Sequence, residues 1–330
     1  MTIRIAALLS LMMWLPAPGA TAGEERGAAS AEPVCDEWFP DFHCDRSGRF
    51  EGFHKPIVAP FLFEDPFITT NAVPYFNWHD LPSDSAFDGG SLYAAALQLR
   101  VALTDRVALI ATKDGYVWNR NDQELLGHSQ GFLNIAAGAK VRLWQDAEQE
   151  RILSGVLRVE LPTGSSDQYQ GYGNGLVIPS LTGAFRTGPL RWMADFGSQI
   201  PISGDKQSSS LFYHLYADVE VCSWIRPFAQ VSGLYWIESG GGKLPLNLRN
   251  GPTITLSDAQ AALGTGPFEG ADVANLGSTR VDNQSLITGA LGFHVPVSEH
   301  VTFSVAYERP ITRPKYIFEQ RVTSALVIEF

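Results

Sequence analysis

From about residue 67 to the end of the chain, apolar and polar residues alternate with a period of two over segments of roughly 12 residues. Leu97, Leu99, Val101 and Leu103 alternate with Gln98, Arg100 and Ala102; Leu133, Ile135, Ala137, Ala139, Val141 and Leu143 alternate with Asn134, Lys140 and Arg142. Leu153, Leu157, Val159 and Leu161 face away from Ser154, Arg158 and Glu160, and Leu211, Tyr213, Leu215, Ala217, Val219 and Val221 from His214, Asp218 and Glu220. Successive side chains of a strand point to opposite faces, so each segment has one apolar face and one charged face. Such strands close in water with the apolar face inward, or in lipid with it outward.

Connection lengths separate the two solutions. Thr104-Asp105, Gly188-Pro189, Trp224-Ile225 and residues 297–299 are tight turns, and 145–150 is only a little longer. Between them fall longer polar stretches at about 80–90, 119–130, 163–174, 203–209 and 239–282. Short turns at one end and loops at the other are the habit of outer-membrane barrels, where the turns are periplasmic and the loops external. A first strand at about 67–79 then predicts an all-β, transmembrane antiparallel barrel of about 12 strands, with both chain ends on the turn side. Aromatic residues near strand ends, among them Tyr93, Trp118, Trp144, Trp192, Tyr213, Tyr235, Phe293 and Tyr307, fit interfacial girdles. The last strand carries Val322, Leu326, Ile328 and Phe330 on one face. Its terminal aromatic residue resembles the signature read by the barrel assembly machinery, which implies that partner and an outer-membrane location.

Composition agrees. In 330 residues, 45% are hydrophobic and 18% charged, too apolar for a disordered chain. A net charge of -11 lacks the cationic footprint of a nucleic-acid binder. Mean hydropathy is -0.03, the average of two opposite faces. After residue 22 there is no apolar run of the roughly 18 residues that a membrane helix needs, so any crossing must use strands. Arg4, the apolar run 5–15 and Ala20-Thr21-Ala22 read as a signal peptide over 1–22, followed by a periplasmic lead or plug over 23–66 and the barrel over 67–330. Cys35 and Cys44 are close enough in an oxidising compartment to predict a disulfide, and Cys222 is left as a small inert residue inside the fold. Cys35, His43, Cys44 and His54 match no standard zinc spacing, so neither a metal nor a cofactor is expected.

With the apolar face toward lipid, the lumen-lining set comprises Arg100, Lys140, Arg142, Arg158, Glu160, Arg186, Arg191, Asp195, His214, Asp218, Glu220, Glu308 and Arg321. Either Lys113 or Asp114 points inward, depending on how the preceding hairpin closes. The longest loop, 239–282, carries Ser257 as a candidate N-cap, Asp258 in a first turn and Gly264 behind, which predicts a short helix. That loop is expected either in the barrel mouth or on the outer surface. The lead, with Trp38, Phe39, Phe42, Phe50, Phe53, Phe61 and Phe63 but no regular alternation, is expected below the barrel or threaded into it.

Val159-Glu160-Leu161-Pro162-Thr163-Gly164-Ser165, followed by Gly171-Tyr172-Gly173-Asn174-Gly175, resembles the outer-membrane transporter family associated with meta-pathway phenol degradation. Pro162 ends a ladder by lacking a donor and Gly164 permits the turn into a loop. The resemblance implies a channel or transporter for hydrophobic or aromatic compounds. Passive passage of small solutes is thus the expected function, with outer-membrane lipid, the assembly machinery and a small-molecule solute as partners. A closed structural or adhesive barrel is the alternative. A lipid-modifying enzyme is the weaker one, since no Gly-x-Ser-x-Gly or His-Glu-x-x-His signature occurs and His79, His214 and His294 all point inward.

Overall fold

The structure, a computed structural model, describes residue 50 and residues 52–330 except 265, 314, 315 and 318. The expected signal peptide, the Cys35 and Cys44 pair and the start of the lead lie outside the described residues.

The barrel strands run in order as β1 (Asn71–Asp80), β2 (Gly90–Ala102), β3 (Val107–Lys113), β4 (Tyr116–Asn121), β5 (Ser129–Phe132), β6 (Ile135–Asp146), β7 (Arg151–Leu161), β8 (Leu176–Thr187), β9 (Leu190–Pro201), β10 (Ser209–Val219) and β11 (Arg226–Glu238). In the long loop a small hairpin, β12 (Pro245–Asn247) and β13 (Thr253–Thr255), leads into helix α1 (Leu256–Leu263). The wall resumes with β14 (Ser285–Ser298), β15 (Val301–Pro310) and β16 (Gln320–Glu329). Each wall strand pairs antiparallel with its neighbours, and β1 pairs with both β16 and β2, which closes the sheet. The pairs β3/β4 and β5/β6 each form one interrupted stave, since β3 and β4 both lie along β2 while β5 and β6 lie along β4 and β3. The result is a closed barrel of 12 strands. The first strand starts at Asn71 and not at 67, because Asp65 Oδ1 accepts the Phe67 amide at 3.0 Å and holds that stretch in a turn.

The interruptions explain two departures from simple alternation. At Gly115, φ is +109° and a Cβ would lie 2.2 Å from the Ala95 carbonyl oxygen, so only glycine permits this kink. Asp114 caps the exposed Leu97 amide at 2.9 Å, and the register shifts between Ala111 and Lys113. Thr112 and Lys113 are therefore both buried on the lumen side, and Asp114 is not. In the neighbouring stave, Leu133 donates to the Gly115 carbonyl at 2.9 Å and turns inward, 2% exposed. It leaves the outward row on which alternation had placed it, and Phe132 takes the lipid-facing position, 63% exposed.

The wall is otherwise as the alternation demands. Leu97, Leu99, Leu109, Leu157, Phe196 and Leu291 are 44–69% exposed, a continuous apolar belt that a protein in water does not leave open. Among the largest fully buried side chains are Arg100, Arg158, Arg321 and Lys140. Charge inside and leucine outside is the arrangement of a barrel in lipid, and it places the chain in the outer membrane. Cys222 sits in the β10–β11 turn, partly exposed, and not inside the fold. Phe330 ends the chain 62% exposed, its amide donating to Thr70 at 3.1 Å.

Candidate functional site: an occupied lumen

Residue 50 and residues 52–70 do not form wall. Pro56, Pro60 and Pro66 lack the donor that a ladder needs, and the segment instead makes a re-entrant loop inside the barrel. At the turn end, Arg226 donates to the Gly52 carbonyl at 2.9 Å and to His54 Nε2 at 2.6 Å. Higher in the lumen, Gln230 donates to Val58 O. The chain then reverses in a tight turn, with Ala59 at φ +51° and its carbonyl accepting from the amides of Leu62 and Phe63, both at 3.0 Å. Gln98 donates to Pro60 O, Arg158 to Phe61 O and Leu62 O at 3.1 and 2.9 Å, and Phe63 stacks on His214 with centroids 4.9 Å apart. The segment descends past Ser154, which donates to Pro66 O, and enters β1.

Just after the reversal lie Glu64 and Asp65. The Arg100 guanidinium grips Glu64 with two parallel bonds, Nη2 to Oε2 at 2.6 Å and Nε to Oε1 at 2.8 Å. Lys140 Nζ reaches Glu64 Oε1 at 2.9 Å and Asp65 Oδ1 at 3.1 Å. Lys55, from the ascending limb, pairs with Asp65. All five side chains are at most 5% exposed. Charges removed from water so completely are tolerable only when paired and hydrogen-bonded. Asp195 adds to the anchorage by accepting the Glu64 amide at 3.1 Å.

The external end is closed separately. Loop 239–282 folds into the mouth. Its helix is capped by Thr255, not Ser257: Thr255 accepts the Asp258 amide while Asp258 accepts the Thr255 amide, and Gly264 ends the helix at φ +63°. Beyond it, Gly270 and Ala274 bridge a narrow bend whose tip carries Asp272. Asp272 accepts from Arg321 Nη1 at 2.8 and 3.0 Å, and Arg321 also holds Glu308. Glu269 braces the bend by accepting from Ser208 Oγ, Leu276 N and Ser278 N. Ala271 and Asp272 from above, with Ala59 and Leu62 from below, line a cavity of about 20 Å³. A second cavity of the same volume lies among Phe87, Leu92, Val117, Leu133, Tyr169 and Phe268. Each is room for about one water.

Of the residues expected to line the lumen, Arg100, Lys140, Arg158, Glu160, Arg191, Asp195, His214, Asp218, Glu308 and Arg321 are buried inside the wall. Arg142, Arg186 and Glu220 sit at the turn-end rim, where they pair with Asp105, Glu150 and Arg191. Glu160 meets Lys113 at 2.8 Å, and Arg191 meets Asp218 at 3.3 Å. His294 bonds Ser304 and Tyr216, at 2.7 and 2.8 Å, and Tyr216 passes the chain to Asp218. Ser304 and His294 are wholly buried, so this is a brace and offers no nucleophile to a substrate. Alternation did not single out Lys55, Glu64, Asp65 and Asp272, since none lies on a wall strand; the cue was an adjacent acidic pair set among phenylalanines and prolines.

No family model matches the sequence, and no curated protein matches it. Among solved structures, the barrel is similar to the COG4313 outer membrane channel from Pseudomonas putida F1, at 14% identity, covering 82% of this chain and 98% of that one with a TM-score of 0.52. The NanC porin, at 7% identity and a TM-score of 0.44, and the KdgM porin, at 10% and 0.43, cover 79% and 78% of this chain and 98% and 99% of their own. At 14% identity the first likeness is one of fold, and the chain has the fold of an outer-membrane β-barrel.

Proposed function

We propose that the protein is an outer-membrane channel for passive passage of small solutes, hydrophobic or aromatic compounds among them, and that the structure is its closed state. The observation that carries this reading is the nature of the filling. The lumen is not occupied by interdigitating wall residues but by a separate chain segment, held by ion pairs to Arg100 and Lys140, whose removal would leave an aqueous space lined with charge below the mouth loop. The likeness to a solved outer-membrane channel and the apolar cavity around Phe87, Leu133 and Phe268 support it. In planar bilayers the purified protein is expected to be closed for most of the record with rare step openings, deletion of residues 52–66 is expected to make the openings more frequent, and adding D272N, which frees the mouth loop from Arg321, is expected to give sustained conductance. A barrel that stays silent with both changes, while keeping the heat-modifiable gel migration of a folded barrel, would overturn the channel.

A filled interior also favours a second reading, a closed structural barrel in which the segment is a permanent strut. The same recording separates the two.

A further inference from the structure

Three cations of the wall, Arg100, Lys140 and Arg158, take their carboxylate or backbone-carbonyl partners from residues 61–65 and not from the wall. Among the described residues the other partners of Arg100 are Asn71 and Gln98, both neutral. Lys140 bonds Glu64 and Asp65, and Arg158 the carbonyls of Phe61 and Leu62. Among the described residues no wall carboxylate lies within 4.0 Å of any of the three. Asp195 faces the same layer but accepts the Glu64 amide, and Glu160 is matched to Lys113. A wall at this height thus sets three cations against one unmatched carboxylate, and the segment brings two carboxylates, of which Asp65 is shared with the segment's own Lys55 and Glu64 serves the wall.

Resting on the channel reading, we propose that this layer is an anion-binding constriction for small organic carboxylates, and that the Glu64 carboxylate occupies it in the closed state as a built-in stand-in for the solute. The Arg100 fork holds two oxygens of one carboxyl group in parallel, the geometry by which guanidinium recognises a carboxylate. Lys140 adds a point charge to the same oxygen, and the two Arg158 donors aim at acceptors that vanish with the segment. When the segment leaves, three cations in a low-dielectric wall require an anion, and a solute carboxylate meets the donor set that Glu64 met. On the loop side, the cavity among Phe87, Leu92, Val117, Leu133 and Phe268 offers an apolar wall for the body of such a solute, which an inorganic anion lacks.

The test uses the full-length chain. E64Q/D65N keeps the shape of the segment and removes its two carboxylates, leaving Lys55, which K55Q added to every variant takes out of the comparison. Its openings in a salt gradient are expected to reverse at a potential of the sign set by chloride, and benzoate is expected to reduce the chloride current where benzyl alcohol at equal concentration does not. Adding R100Q and K140Q should abolish both effects. Heat-modifiable migration reports folding, and E64Q alone, which retains Asp65 on Lys140, gives the same readout where the double variant fails that check. Openings that are unselective or cation-selective, or an anion preference that survives R100Q/K140Q, would overturn the constriction while leaving the channel intact. A folded barrel with no openings in any variant overturns the channel itself.

Discussion

At the scale of single residues, the molecule is held shut by a few buried carboxylates, and their environments set what each change does. Replacing Arg100 with Met removes the fork from Glu64 and leaves that carboxylate to Lys140 and Lys55 alone. Breaking one side of a buried pair costs about 3–5 kcal/mol. The segment, not the wall, bears that cost because it can move: amide exchange is expected to rise over residues 58–66 while the β7 and β8 amides stay protected. Unchanged exchange in the segment would show that the fork contributes little. Glu269 makes the opposite kind of case. Burial pushes its carboxyl above the ordinary range, against the pull of Ser208 and the amides of Ser278, Leu276 and Gly270. A docked loop that binds the proton more tightly than an undocked one is more stable in acid, and it loses that stability as the pH rises from the ordinary carboxylate range through the raised value. Exchange at Leu276 and Ser278, corrected for the intrinsic pH dependence, should thus grow toward neutral pH. Glu269→Gln, neutral throughout, should remove the trend.

At the scale of elements, the interrupted staves are where local geometry overrides the repeat. Gly115 permits the break between β3 and β4, and a Val there meets both a positive φ and the Ala95 carbonyl. Gly115→Val is expected to lower barrel stability by about 1–3 kcal/mol, read as an earlier midpoint in urea unfolding from detergent, whereas Gly204→Val, with no atom within 4 Å of its Cβ, should leave the midpoint unmoved. The break also marks how far the sequence could be read. Strand number, turn placement and the inward row of β2, β7 and β10 follow from period two because lipid on one side and charge on the other leave each residue only two directions. Leu133 escapes that logic because the break between β5 and β6 buries two successive residues, Leu133 and Asn134, without a turn signal in the sequence. The α1 cap shifts from Ser257 to Thr255 because the backbone leaves β13 already extended, and the hydroxyl two residues earlier reaches the amide of Asp258. Lys55, Glu64, Asp65 and Asp272 had no period to reveal them: their positions depend on where two irregular segments go once the wall has closed.

At the scale of the whole molecule, those two segments enter from opposite ends and meet. The reversal at Ala59 and Leu62 comes from the turn end, the bend carrying Ala271 and Asp272 from the loop end, and about 20 Å³ separates them. Each has its own latch, Glu64 and Asp65 on Arg100 and Lys140 below, Asp272 on Arg321 above. Among the described residues the latches share no charged residue, so release of one leaves the other fastened. A path closed by two independent barriers in series conducts only while both are open, and its open probability is the product of the two. E64Q/D65N and D272N should therefore each raise the fraction of time open by a modest factor, and the triple variant by about the product of the factors, as additive free energies for uncoupled sites require. Arg321 keeps Glu308 in D272N, so the upper wall retains its charge balance and the single-channel amplitude should not change. A triple variant no more open than E64Q/D65N would mean that loop 239–282 follows the lower segment passively. One far more open than the product would mean that contact between the two tips couples them, with the cavity between Leu62 and Asp272 as the place where that coupling is made.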